Sequence, residues 1–360
     1  MRIMLDTYWL FRGGTESLRR TVRQLLSNWA ELYPEDVIYA WTWVPRGCQV
    51  DVSDFPHNVT LVPTRVRPHA LSSTLFLARA ANKRRVDAIV TQNFAVRCDR
   101  RSLVFIHDML FVSSPEWFTR KERAYFALMP LLAHRADYVV ATTRTEAERI
   151  RASSPKIRGV VPVGLGVGED LLESSPTPPE MNLLDDSRRP FVLSVGRLNV
   201  RKNLESLVKA FASTSSSAEF DLVIVGEPDG VSADSLNAID PRTSRCQIRF
   251  VGYVSDAELR WLYENCSLFV YVSLGEGFGM PPVEALKLGA RCLVSDISVF
   301  RETCGNSAFY VDPTSVSEIS DAIDKLLDGN SIPLAASEFE LSRYRWRDVV
   351  AGIRGLISQT

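Results

Sequence analysis

Short apolar runs that stop at a glycine or a polar residue recur along this 360-residue chain, and they constrain its fold more than any other feature. In the first half they are Arg2–Asp6, Val37–Trp43, Val59–Val62, Val86–Val90, Leu103–Ile106, Tyr138–Ala141 and Val160–Val163. In the second half they are Phe191–Val195, Leu222–Val225, Ile248–Val251, Leu268–Val272, Leu293–Ser295 and Ala308–Val311. Each is too short for a stable helix and long enough for a buried strand. Helix-spaced stretches intervene, such as Leu18, Val22, Leu25, Leu26, Trp29 and Leu32, which line one face of a helix. Strands alternating with helices predict an α/β protein of parallel, doubly wound sheets covered on both faces. The length exceeds what one hydrophobic core supports, so two domains are expected. The polar segment carrying Pro176, Pro178 and Pro179 supplies a linker, giving a first domain over residues 1–168, a linker over 169–189 and a second domain over 190–336. Residues 337–360 hold a last helix with Val349, Val350, Ile353 and Ile357 on one face. Spacing alone leaves open which domain that helix packs on.

Hydrophobic residues make up 46% and charged residues 24%, the balance of a soluble globular protein. The longest apolar candidate, Ala124–Ala133, is about half of a membrane span. Asp6 and Arg12 interrupt the first twelve residues, so no signal peptide is expected there. The six cysteines form no Cys-x-x-Cys pair and have no histidines at metal-ligand spacing, which predicts reduced thiols, a cytoplasmic location and no structural metal. The net charge of −1 conceals an asymmetry: Met1–Leu165 carries 24 Lys+Arg against 15 Asp+Glu. Lys83-Arg84-Arg85, Arg97 and Arg100-Arg101 form basic clusters suited to a solvated face, to a pyrophosphate-bearing acceptor, or to peripheral contact with an anionic membrane. No helix-turn-helix, zinc-finger or aromatic ribonucleoprotein motif accompanies them, which argues against nucleic acid.

Chemistry in an open α/β sheet gathers beyond the carboxyl ends of the strands. Four such ends stand out. After Leu268–Val272 come Gly275, Glu276, Gly277, Phe278, Gly279, Met280 and two prolines that open a helix bearing Glu284. The glycines let backbone approach a ligand, the helix amides favour an anion, and the two carboxylates accept hydrogen bonds from hydroxyls. After Phe191–Val195, Arg197 and Lys202 leave the strand together, a fork and a point charge suited to a diphosphate. After the first strand, Gly13 and Gly14 precede a helix with Thr15 as its cap. The strand ending at Ile106 runs into His107 and Asp108. The other histidines, His57, His69 and His134, lack a strand-end position.

The string Glu276-Gly-Phe-Gly-Met-Pro-Pro-Val-Glu284-Ala resembles the Glu-x7-Glu signature of retaining nucleotide-sugar glycosyltransferases of family 4, whose GT-B fold has two Rossmann-like domains facing across a cleft. Gly196-Arg197 through Lys202-Asn203 resembles that family's Gly-Arg-x-x-x-x-Lys-Asn motif, and Gly13-Gly14 its first glycine loop. His107-Asp108 with Pro115, Glu116 and Phe118 resembles bacterial polysaccharide mannosyl- and rhamnosyltransferases. The resemblance implies that Glu284 binds ribose hydroxyls, Glu276 and the amides of 277–279 hold the sugar, and Arg197 and Lys202 neutralise the diphosphate. It further implies that His107 meets the sugar, that Gly252, Tyr253 and Val254 lie near the base, and that the last helix returns to the first domain. Under it the donor is a nucleoside-diphosphate sugar, with GDP-mannose or a related deoxysugar favoured, and the acceptor is a glycan or a lipid-linked intermediate. No Asp-x-Asp occurs, which fits a transfer without metal or other cofactor. Rival readings are a hydrolase using Glu276 and Glu284 as its carboxylate pair, an epimerase or phosphorylase of like architecture, and a catalytically silent nucleotide-sugar binding subunit.

Overall fold

A computed structural model describes residues 1–48, 55–179, 189–226, 248–328 and 342–358. The chain divides into two compact units, one formed by Met1–Gly168 with Tyr344–Thr360 and the other by Glu169–Arg343. Each is an α/β unit built on one parallel sheet.

The first sheet has seven strands in the order β3-β2-β1-β4-β5-β6-β7. In chain order these are β1 (Arg2–Asp6), β2 (Val37–Trp43), β3 (Val59–Thr64), β4 (Ala88–Gln92), β5 (Arg101–Ile106), β6 (Tyr138–Ala141) and β7 (Val160–Pro162). The second sheet has six, in the order β10-β9-β8-β11-β12-β13. They are β8 (Phe191–Val195), β9 (Asp221–Val225), β10 (Ile248–Gly252), β11 (Leu268–Tyr271), β12 (Cys292–Ser295) and β13 (Phe309–Val311). Every pair is parallel, in register such as Met4 on Tyr39 and Ile89, or Leu193 on Val223 and Phe269. The strand order reverses between β1 and β4 in one sheet and between β8 and β11 in the other. At such a reversal the connections leave toward opposite faces and open a crevice at the carboxyl ends of the strands.

Central strands are buried on both faces, which is why β4, β9 and β11 read as near-continuous apolar runs. Their cover is one-faced helices. The Glu16–Leu32 helix buries Val22, Leu25, Leu26 and Trp29, and its first turn is closed by Thr15, whose hydroxyl accepts from the Leu18 amide. In the second unit Leu207, Val208 and Phe211 of the Leu204–Ser213 helix and Ile319 and Ile323 of the Val316–Leu327 helix join Leu222, Leu268 and Val270 in a single core. Each such side chain contributes roughly 1.5–3 kcal/mol by leaving water.

Two boundaries differ from expectation, those of the linker and of the fourth strand. The polar stretch after Gly168 begins with a helix, Glu169–Glu173, fastened to the second unit because Arg260 donates to the carbonyls of Leu172 and Ser174. Of the expected linker, residues 180–188 lie outside the described residues. The last helix, Trp346–Ser358, packs against Glu16–Leu32, with its Arg354 donating to buried Asp36 at 2.8 Å. The fourth strand begins two residues later than its apolar run and extends through Thr91 and Gln92. Among the described residues no helix is long and apolar enough to cross a membrane.

Candidate functional site

Beyond the ends of β8 and β11 lies a buried, charged constellation. Glu276 is only 6% exposed. Its Oε1 accepts from Lys202 Nζ at 2.7 Å, Ser273 Oγ at 2.9 Å and Tyr271 Oη at 3.0 Å. Its Oε2 accepts from Arg201 at 2.9 Å, and the same guanidinium nitrogen reaches the Gly275 carbonyl. Lys202 also donates to Tyr271. Burial alone would push the Glu276 carboxyl up, but Arg201 and Lys202 outweigh it and hold it at about 2, so it is ionised throughout the neutral range. Tyr271 moves the other way: burial, and then the charge of Glu276, keep its phenol protonated. The carboxylate thus fixes two cations at the point where the sheet reverses.

Local sequence explains the geometry. Asn199 caps a short turn, Val200–Lys202, by accepting from the Lys202 amide at 3.2 Å, which turns Arg201 and Lys202 back toward the sheet. The Leu274 amide donates to the Arg201 carbonyl at 2.8 Å, tying that turn to the glycine loop. Gly279 adopts a φ of +83°, and a Cβ there would lie 2.3 Å from Phe300 Cε1, so only glycine serves. Met280–Lys287 follows as a helix opened by its two prolines. Glu284, inside it and also buried, accepts from Tyr263 Oη at 3.0 Å. Burial followed by the charge of Glu284 raises the Tyr263 phenol well above its ordinary value, leaving it a donor.

The expected residues therefore separate into groups. Lys202 and Glu276 are bonded directly, with Gly277, Phe278 and Gly279 buried beside them and Met280 half-buried. Glu284 is held by its own tyrosine, and Tyr271 feels the charge of both glutamates. Arg197 is exposed at the end of β8, and the guanidinium on Glu276 belongs to Arg201 instead. In the turn after β10, Gly252 has a φ of +67°, Val254 is buried and Tyr253 is 63% exposed. Sequence reasoning passed over Arg201, Tyr271, Ser273 and Tyr263. Arg201 lay in plain view beside Lys202, whereas no pattern marked the two tyrosines and the serine.

The first unit carries a second strand-end group. His107 follows β5, its ring stacked on Phe105 at 4.9 Å and its Nε2 2.8 Å from Gln92 Oε1. Burial, with a smaller contribution from His69, pushes this imidazole down to about 4, so it is neutral at pH 7. Asp108 accepts from the amide of Leu110, the first residue of the short helix that follows. His69, although distant from any strand end in sequence, is buried with its Nε2 2.8 Å from Asp6, the last residue of β1. Trp9 lies against His69 with ring centroids 4.0 Å apart. A Cβ on Gly14 would meet Trp9 at 2.8 Å, and Gly13 and Gly14 have φ of +77° and +65°. The glycine loop is thus laid over an indole that is laid over the His69–Asp6 pair.

Comparison with known proteins shows what this chain is similar to. Residues 182–339 match Glycosyl transferases group 1. The chain is 30% identical over 202 residues to the serotype-specific mannosyltransferase WbdA of Escherichia coli, covering 54% of this chain and 25% of that one. It is 28% identical over 260 residues to the O-antigen chain mannosyltransferase RfbU of Salmonella typhimurium, covering 71% and 69%. The matched region thus spans about a quarter of the WbdA relatives. Among solved structures, sucrose-phosphate synthase from Thermosynechococcus elongatus superposes with a TM-score of 0.76 at 18% identity, over 99% of this chain and 98% of that one. HepE of Anabaena, in complex with UDP and glucose, superposes with a TM-score of 0.72 at 16% identity, over 99% of each chain. Within the second unit the chain is thus similar to the glycosyl transferases of group 1, and as a whole it carries the GT-B fold.

Proposed function

We propose that this protein is a retaining hexosyltransferase that moves mannose or a related deoxyhexose from a GDP-sugar to a glycan or lipid-linked acceptor in polysaccharide assembly. The observation that supports it most is the Lys202–Glu276–Arg201 constellation at the reversal of the second sheet. Breaking a glycosyl–phosphate bond leaves negative charge on the departing diphosphate. Fixed cations that need no rearrangement during the reaction stabilise that charge. Lys202 and Arg201 supply them, together with the first amides of Met280–Lys287. On this reading Glu276 orients both cations and hydrogen-bonds sugar hydroxyls, Glu284 takes the ribose, and neutral His107 hydrogen-bonds the transferred sugar. Mannose is favoured because the matched relatives are mannosyltransferases.

Protein cations in the diphosphate position support a transfer that needs no divalent ion. Retention follows from front-face attack in which the leaving phosphate takes the acceptor proton. Peripheral binding to the inner face of a membrane is also proposed, supported by Leu75, 54% exposed, in the same helical stretch as Lys83 and Arg84.

Release of nucleoside diphosphate from GDP-mannose, GDP-deoxyhexoses and UDP- and dTDP-sugars, with and without EDTA, tests the reading. Release from a GDP-sugar that EDTA does not reduce, with an α-linked product by NMR, is expected. Nucleotide-dependent thermal stabilisation without release from any donor would leave only a binding subunit, and release abolished by EDTA would end the metal-free scheme.

A further inference from the structure

The crevice of the first sheet opens where β1 and β4 part, and the last residue of β4 is a polar side chain that the proposed chemistry has not used. Gln92 is fully buried. Its amide nitrogen donates within the strand frame to no side chain: Nε2 is buried without a hydrogen-bond partner, while Oε1 lies 2.8 Å from His107 Nε2. We propose that Gln92 is a positioning residue for His107: its Oε1 holds the imidazole proton on Nε2, so that the unprotonated Nδ1 is the nitrogen offered to substrate. This inference rests on the reading that His107 acts on the transferred sugar.

The surroundings make the ring's position over-determined. Its backbone amide donates to Asn93 Oδ1 at 3.4 Å, its carbonyl accepts from Thr142 Oγ1 at 3.2 Å, and Phe105 stacks on it. What these contacts do not decide is which nitrogen carries the proton, since a neutral imidazole has one donor and one acceptor. Only the side chain facing Nε2 decides it. A carbonyl oxygen there demands N–H, which leaves Nδ1 able to accept a hydrogen bond from a sugar hydroxyl. Gln92 is itself seated on the network below: its backbone amide faces Asp6 Oδ2 at 3.5 Å, and the same oxygen accepts from Ser73 and lies 2.8 Å from His69 Nε2.

The charged and titratable groups around the ring do not displace this assignment. Asp6 is occupied by Tyr8 N, Ser73, His69 and Gln92 N. Asp108 accepts from Leu110. Glu146 accepts from the Met109 amide at 2.7 Å and pairs with Arg149, which holds the segment after His107 rather than its ring. A charge on His69 would oppose protonation of His107. An amide partner, unlike a carboxylate, fixes the proton's place without favouring the imidazolium.

The full chain labelled with 15N-histidine carries only four imidazoles, so the His107 signals can be assigned by their loss in His107→Ala. The wild type is expected to show Nε2–H with unprotonated Nδ1. Gln92→Met should lose that preference and lower kcat about tenfold, the scale of one hydrogen bond to a reacting group, with the donor KM nearly unchanged. Gln92→Glu should keep Nε2–H but move the acid limb of the kcat–pH profile to higher pH, because a carboxylate stabilises the imidazolium. Wild-type Nδ1–H, or an unaltered tautomer and pH profile in both variants, would overturn the inference. Full activity in His107→Ala would instead remove His107 from the reaction, whatever Gln92 does to its proton.

Discussion

The two sheets reverse their strand order in the same way and equip the resulting crevices by opposite means. At β8 and β11 one ionised carboxylate binds two cations, and hydroxyls of Ser273 and Tyr271 donate to the oxygen that also accepts from Lys202. At β1 and β4 the side chains are an amide, two imidazoles and stacked aromatic rings, with the carboxylate of Asp6 used as a hub beneath them. Topology decides where a ligand is met, and the residues that end each strand decide what it is met with. A crevice of fixed charge suits a diphosphate, and one of directional hydrogen bonds suits sugar hydroxyls.

The sharpest way to break this contrast is Glu276→Ala. It strands Lys202 and Arg201 as half-buried cations, and it should cost about 3 kcal/mol in chemical denaturation along with nearly all transferase activity. A variant as stable as the wild type would show that the cations do not depend on Glu276. Gly279→Ala should come next, at about 1–3 kcal/mol, since a side chain at that φ is strained and its Cβ collides with Phe300. Thermal unfolding measures it, and an unchanged melting temperature would refute the close packing.

His107→Ala tests the other half of the comparison. Turnover should fall about a hundredfold, at the low end of what a positioned polar group contributes, while stabilisation by GDP is preserved. Glu284→Ala should do the reverse and abolish that stabilisation, and equal losses of both properties in either variant would erase the distinction between a sugar side and a nucleotide side. The smallest effect concerns pH. The folded-state value of His107, about 4, lies below its ordinary 6.5, so the unfolded chain binds more protons between these values. Stability from this group is therefore full above pH 6.5 and declines as pH falls toward 4. His107→Gln should flatten that part of the stability curve, and an identical curve would contradict a buried neutral ring.

The architecture was legible because buried parallel strands announce themselves as apolar runs; Val37–Trp43, Tyr138–Ala141 and Phe191–Val195 coincide with β2, β6 and β8. The reading failed where polar residues continue a strand. Val86–Val90 is the apolar run, but β4 ends at Gln92, whose carbonyl oxygen meets a partner just after β5 that no local pattern reveals. His69 was set aside for the same reason: its partner Asp6 lies 63 residues away. Around Glu276 the sequence marked the loop and the strand, yet which of Arg197 and Arg201 would turn toward Glu276 depended on the Asn199-capped turn between them. Pairings across long sequence separations are decided by packing and stay silent in a one-dimensional pattern.

The first unit is assembled from two stretches of chain, because the helix Trp346–Ser358 lies on Glu16–Leu32 and Arg354 reaches Asp36 across 318 positions. A ribosome delivers the second unit in full before it delivers that helix. The part of Glu16–Leu32 that the last helix covers must then wait through the synthesis of an entire neighbouring unit, a period in which nascent chains are open to chaperones and to misassembly. Expressing residues 1–168 alone would make that interval permanent.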